Sequence, residues 1–102
     1  MLYAITGEDI DDSVAARTAN RAEHIERLTQ LNNEGRLILA GPFPAIDNPD
    51  PGPNGFTGSL IVAEFDSLEA ATQWANTDAY ATGGVFKNVS VKPFKQVFPS
   101  TN

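Results

Sequence analysis

The sequence predicts an α+β domain of order β-α-β-β-α-β, a four-stranded antiparallel sheet with two helices on one face. Three observations predict it. Short apolar runs of strand length flank one long stretch with helical periodicity. Start signals stand before two segments, Asp12 or Ser13 before the first and Asp66-Ser67-Leu68-Glu69 before the second. Gly and Pro break the chain between the apolar runs.

Leu2 to Thr6 is a short apolar run, closed by Gly7 and the acidic cluster Glu8, Asp9, Asp11 and Asp12, and reads as the first strand. The helix that follows places Val14, Thr18, Arg21, Ile25, Leu28 and Asn32 on one side. Glu23, Glu26, Arg27, Gln30 and Glu34 fall on the other, and Gly35 is the stop beyond the last turn. Arg36 to Phe43 holds Leu37-Ile38-Leu39-Ala40, too short for a helix before Gly41-Pro42, and is the second strand. Phe56 to Phe65 is the third, and its centre Leu60-Ile61-Val62-Ala63 predicts burial on both faces. The capping box opens a second helix through Trp74 to Asn76. After Gly83-Gly84, the Val- and Phe-rich segment Asn88 to Phe98 supplies the last strand.

This is the split βαβ pattern of ferredoxin-like folds. Helices cover one sheet face only, yet strands two and three are apolar on successive residues, so the other face calls for a cover. A second copy is the simplest one, and a homodimer packed sheet to sheet is expected. Residues 44–55, with Pro44, Pro49, Pro51 and Pro53, form a loop inside the domain, either a solvated connection or a lid.

Seven Lys plus Arg against 13 Asp plus Glu give a formal charge of −6, and the pI is near 4.5. Counterion release on a phosphate backbone needs clustered cations, so a nucleic-acid partner is not expected. The chain has no Cys, which excludes thiol nucleophiles and zinc ribbons. Acidic residues interrupt the first apolar run well before the length of an export signal or a membrane span, and a soluble cytoplasmic protein is expected.

His24, the one histidine, is the side chain whose unperturbed pKa lies near neutrality. It sits on the flank of the helical apolar stripe, where a satisfied boundary histidine is the ordinary outcome. Its company argues for more. Arg17, Arg21 and His24 stand at i, i+4 and i+7, three cationic groups in one row beside the core, where an arginine needs an acidic partner or an anion. Asp78, just past the second helix, is a candidate to orient His24 as a general base, although an Asp there is also ordinary turn chemistry. Asp47 and Asp50 are the other candidates. No metal site is expected, because one His and scattered carboxylates lack paired ligand spacing. Gly55-Phe56-Thr57-Gly58-Ser59 lets a backbone approach a ligand, with Ser59 as a sheet residue or substrate contact rather than a nucleophile. Tyr80 and Trp74 read as core or interface aromatics.

Arg17-x3-Arg21-x2-His24, Gly35-Arg36-Leu37 leading to Ala40-Gly41-Pro42, Gly55 to Ser59 with Ala63-Glu64-Phe65, and Val89-Ser90-Val91-Lys92-Pro93-Phe94 together resemble the bacterial YciI family across residues 1–98. More distantly the chain is similar to the dehydrochlorinase of chlorinated hydroxyhydroquinone breakdown and to muconolactone isomerases. The resemblance implies one ferredoxin-like domain over residues 1–98 with a tail at 99–102, a dimeric α/β barrel, and a pocket near the dimer interface. It also implies a His/Asp pair that falls on His24 and Asp78; the family's Asp-Pro-Tyr stands here as Asp78-Ala79-Tyr80. The expected function is a cofactor-independent enzyme of lyase, isomerase or dehydrochlorinase type. In it His24 and Asp78 are catalytic, and Arg17, Arg21, Ser59 and Tyr80 contact a small anionic or phenolic substrate. The alternative is a binding or accessory module that holds the same ligand without turnover.

Overall fold

In the computed structural model, which describes residues 1–100, the chain runs β1 (Leu2–Asp9), α1 (Val14–Asn33), β2 (Leu37–Pro44), β3 (Phe56–Glu64), α2 (Leu68–Asn76), α3 (Ala79–Thr82) and β4 (Phe86–Phe94). The strands form one antiparallel sheet in the order β2-β3-β1-β4, the ferredoxin-like arrangement. β1 runs three residues past the expected Thr6, to Asp9, because β3 and β4 pair with it along its length. β4 starts earlier than expected, at Phe86, and ends at Phe94. No described helix is long and apolar enough to cross a membrane.

Local signals set the end of α1 and the start of α2, whereas at the start of α1, where Asp12 or Ser13 is the expected cap, Ser13 makes no capping bond and its hydroxyl donates to Asp9 instead. Gly35, at φ 72°, takes the left-handed position that ends α1; its N–H bonds to the Asn32 carbonyl and that of Arg36 to the Leu31 carbonyl, which satisfies two of the last carbonyls. The hydroxyl of Ser67 accepts the Ala70 N–H at 3.0 Å and opens α2. One element was not expected. Asp78 caps the single turn α3 by accepting the Tyr80 N–H, so this carboxylate begins a helix of its own.

Strand alternation divides the sheet into two faces. Tyr3 and Ile5 lie opposite Ala63 and Ile61, and all four are buried with Leu31 of α1, Ala71 and Ala75 of α2, and Phe65. Burying each large apolar side chain of this kind contributes about 1.5–3 kcal/mol, so this face holds the domain together. On the opposite face Ala4 lies against Val62 and Thr6 against Leu60, with Leu39, Phe43 and Phe94 each roughly two-fifths to one-half exposed. The strands sit close at one point on which the site depends: a Cβ at Gly58 would collide with the Gly7 carbonyl oxygen, so only glycine lets β3 approach β1 there.

The buried line of α1 is not the stripe expected from hydrophobicity. Its buried residues are Arg17, His24 and Leu31, seven apart, while Val14 and Ile25 remain about two-fifths exposed. Two polar groups therefore lie on the buried line where an apolar pattern would have put hydrocarbon, Arg17 against β1 and β3 and His24 against Asp78 and Tyr80 of α3.

Candidate functional site

Arg17 lies on the sheet because β1 supplies its counter-charge. The Arg17 Nε and Nη2 donate to the two oxygens of Asp9 at 2.6 and 2.9 Å, a two-pronged charge-assisted pair, and Nη2 also donates to the Gly58 carbonyl and to Ser59 Oγ. Ser13 Oγ donates to the same Asp9 carboxylate. The guanidinium carbon lies 5.1 Å from the Phe56 ring centre and 5.0 Å from that of Tyr80, so two aromatic rings complete its enclosure. Arg17 is thus compensated within the protein, and its Nη1 is the one guanidinium nitrogen with no hydrogen-bond partner among the described residues.

One ring further along, Tyr80 stacks on His24 with centroids 3.9 Å apart and planes 11° from parallel. His24 Nδ1 lies 2.7 Å from Asp78 Oδ2, and both side chains are buried. Asp78 Oδ2 also accepts the Tyr80 N–H at 3.0 Å, and Oδ1 accepts from Arg27 Nη1 at 3.1 Å. Burial pushes the Asp78 pKa up, but the hydrogen bond and charge of His24, the Tyr80 N–H and the Arg27 charge together outweigh it, leaving the carboxyl below its ordinary value. An ionised carboxylate accepting at Nδ1 selects the tautomer with its proton on Nδ1 and its lone pair on Nε2. His24 Nε2 has no protein partner among the described residues.

A cleft between α1 and the β2–β3 edge meets this line. Its inner chamber, about 170 Å³, is walled by His24, Ser59, Ile61, Ile25, Leu28 and Ala40. Its outer chamber, about 350 Å³, adds Val14, Thr18, Gly52, Gly55 and Phe56, and both chambers share Arg17, Arg21, Pro42 and Tyr80. The apolar walls and few converging polar groups suit a small molecule. Val14 and Ile25, whose hydrocarbon the sheet leaves uncovered, are part of those walls. A separate groove on the open sheet face, lined by Thr6, Glu8, Phe43, Thr57, Asn88 and Ser90, contains no group that titrates near neutrality.

The structure brings five of the six expected site residues onto or beside one buried line, His24, Asp78, Arg17, Ser59 and Tyr80. Arg21 stands exposed at the cleft wall with no carboxylate in salt-bridge range among the described residues. Asp47 and Asp50 are exposed on the loop and make no ion pair with His24. Two residues escaped the sequence reading. The sequence reading places Asp9 in the acidic cluster that closes the first strand, although its odd position in a strand that buries Tyr3 and Ile5 is a signal that puts it on the core face. Arg27 was assigned to the polar side of α1, yet its guanidinium lies 4.4 Å from the Trp74 ring centre and reaches Asp78; no sequence signal marks it. Among the described residues no cluster of three His, Asp or Glu side chains is placed to hold a metal ion.

The model of the YCII-related domain matches residues 1–95. Protein YciI of Escherichia coli O6:H1 is 55% identical over 98 residues, 96% of this chain and 100% of its own length. An uncharacterised protein of Haemophilus influenzae is 49% identical over the same shares of the two chains. Among solved structures, the 5-chloro-2-hydroxyhydroquinone dehydrochlorinase of Burkholderia phenoliruptrix AC1100, in complex with 2,5-dihydroxybenzoquinone, superposes with a TM-score of 0.80 at 24% identity, covering 93% of this chain and 94% of that one. A putative antibiotic biosynthesis monooxygenase from Nitrosomonas europaea has a TM-score of 0.50 at 12% identity over 98% and 92% of the two chains. These structural likenesses concern the fold.

Proposed function

The chain belongs to the YCII-related domain family, and from that premise together with the cleft at His24 we propose that it is a cofactor-independent acid–base enzyme of lyase, isomerase or dehydrochlorinase type. Its substrate in this reading is a small anionic or phenolic molecule. One observation carries the reading: a buried histidine, held at Nδ1 by a buried carboxylate 2.7 Å away, lines a cleft with its other nitrogen unpaired. Nδ1 is committed to Asp78, so Nε2 is the ring nitrogen left to meet a molecule in the cleft.

His24 Nε2 takes a proton from a hydroxyl or an activated carbon, and the Asp78 carboxylate stabilises the imidazolium that forms. For a chlorinated hydroxyaromatic in its keto form, the electron pair of the broken C–H or O–H bond forms the new double bond while chloride leaves with its own pair. The products are a quinone-like molecule, chloride and one proton on His24. In an isomerisation the same proton returns to a different carbon. Arg21 faces the negative charge that develops, and Arg17 Nη1, Ser59 Oγ and Tyr80 contact the ring oxygens. The fold likeness to a dehydrochlorinase, 24% identical, agrees with this class of chemistry without assigning it.

A homodimer is part of the proposal. Leu39, Phe43 and Phe94 expose apolar surface on the uncovered sheet face, and a second copy packed sheet to sheet would remove it from water. The protein is expected to sediment as a dimer at micromolar concentration; a monodisperse monomer would reject this assembly.

Turnover decides between catalyst and binding module. Hydroxylated and chlorinated aromatics and lactones, followed by absorbance and chloride release, are expected to include one that the wild type converts. His24→Ala is expected to lose that rate by a factor of about 10² or more while remaining folded. Binding by both proteins with conversion by neither would leave the binding module as the function.

A further inference from the structure

The geometry points to Arg27 as a positioning residue that restrains protonation of His24 by holding the far oxygen of Asp78. This inference rests on the acid–base reading above and deepens it by assigning control of the base to a third side chain.

Arg27 lies three residues beyond His24, so both side chains leave the same stretch of α1 toward the α2–α3 connection. Its Nη1 donates to the Trp74 carbonyl at 3.0 Å and to Asp78 Oδ1 at 3.1 Å, and its Nη2 donates to Thr77 Oγ1 at 3.2 Å. The planar fork lies against the Trp74 ring, 4.4 Å from its centre. The guanidinium is therefore fixed by three acceptors and an aromatic face, only one of which is the carboxylate. The Arg27 side chain is about one-quarter exposed, against 3% for Asp78, so the cation stands between the buried carboxylate and water.

This placement divides the carboxylate's work. Oδ2 serves His24 and the Tyr80 N–H, and Oδ1 serves Arg27. An unshared carboxylate would direct its full charge to the imidazole and favour the imidazolium, which cannot accept a proton. Arg27 draws part of that charge to itself and adds a positive charge on the same side. Both effects act against a second cation at His24 and favour the neutral ring with Nε2 free. The other groups facing His24 are few. Arg17 lies across the Tyr80 ring with its charge met by Asp9, Arg21 stands on the cleft wall, and β3 offers the neutral Ser59. β2 contributes Ala40 and Pro42, and the charged residue of α2, Glu69, is exposed in the first turn of that helix, at the end away from Asp78. Arg27 is thus the cation coupled to the dyad by a direct bond.

Because His24 is the single histidine, one set of ring signals in an NMR pH titration reports it without substrate. Arg27→Gln is expected to raise the His24 midpoint relative to wild type by about 0.5–1 pH unit, and Arg27→Lys, which keeps the cation, to move it by less than about 0.2. If Arg27→Gln does not fold, Arg27→Met keeps the aliphatic stem over Trp74 and carries the same expectation. A folded Arg27→Gln or Arg27→Met protein with an unmoved midpoint, or Arg27→Lys shifting as far as Gln, overturns the inference and leaves Arg27 a tether between helices. If the midpoint rises but no substrate is ever converted, the acid–base function fails while the control of His24 by Arg27 stands.

Discussion

Replacing Arg17 by Met removes the two-pronged bond to Asp9, the bonds to Gly58 and Ser59, and the charge between the Phe56 and Tyr80 rings, while keeping much of the volume. Asp9, whose side chain is 1% exposed, then retains only the Ser13 hydroxyl. Breaking a buried ion pair by removing one partner costs about 3–5 kcal/mol, because the other charge stays buried. A domain of this size has roughly 5–15 kcal/mol in all, so Arg17→Met should lower the thermal midpoint by about 12 °C or more. The charge argument is isolated by a double-mutant cycle. Asp9→Asn alone strands the arginine and should cost a similar amount, whereas Asp9→Asn with Arg17→Met leaves two neutral groups and should cost less than the sum by about 2 kcal/mol or more. Urea unfolding of the four proteins at pH 7 reads these values directly. Single variants that each lose under about 1 kcal/mol, or costs that simply add, would refute the view that a buried charge pair anchors α1 to β1.

Asp78→Asn and Arg21→Ala test the rest of the line. The Asp78 carboxyl is held below its ordinary value in the fold, so its stabilising contribution is complete above the unfolded pKa of about 3.9 and is lost as pH falls through the lower folded value. Asp78→Asn should therefore be less stable than wild type by about 1–3 kcal/mol at pH 7, with the gap closing below about pH 4; a gap independent of pH would contradict the assignment. Arg21→Ala should leave stability within about 0.5 kcal/mol, because its side chain is exposed and in no ion pair among the described residues, yet weaken binding of whichever anionic ligand of the proposed substrate panel the wild type takes up. Titration calorimetry at rising salt should show that loss shrinking, and affinity unchanged at every salt concentration would remove Arg21 from the site.

The fold was legible wherever local chemistry dictates it. Gly35 at the end of α1 and the unbroken apolar centre of β3 act through their immediate neighbours and stand where sequence alone put them, and the start signal at Asp66 to Glu69 opens α2 as expected, with Ser67 rather than Asp66 as the cap. The rotation of α1 was not legible. The wheel follows hydrophobicity, and it favoured Val14, Thr18 and Ile25, whereas Arg17 and His24 are buried because Asp9 and Asp78 satisfy them. Those partners lie 8 and 54 residues away, on different elements, and a single-helix pattern carries no information about them. The same cause hid Arg27, whose partners Trp74, Thr77 and Asp78 appear only when the α2–α3 connection folds across α1.

The misplaced stripe has a functional consequence. Here the polar residues take the buried line, which turns Val14 and Ile25 outward to become cleft walls. The buried pairs Asp9–Arg17 and Asp78–His24 thus hold one helix orientation that both opens the cleft and points the histidine into it. Replacing such pairs by hydrocarbon is often neutral or stabilising in other domains. In this chain the same two pairs also set Arg17 and His24 into the cleft wall, so the polar line is tied to the shape of the cleft as well as to the anchoring of α1.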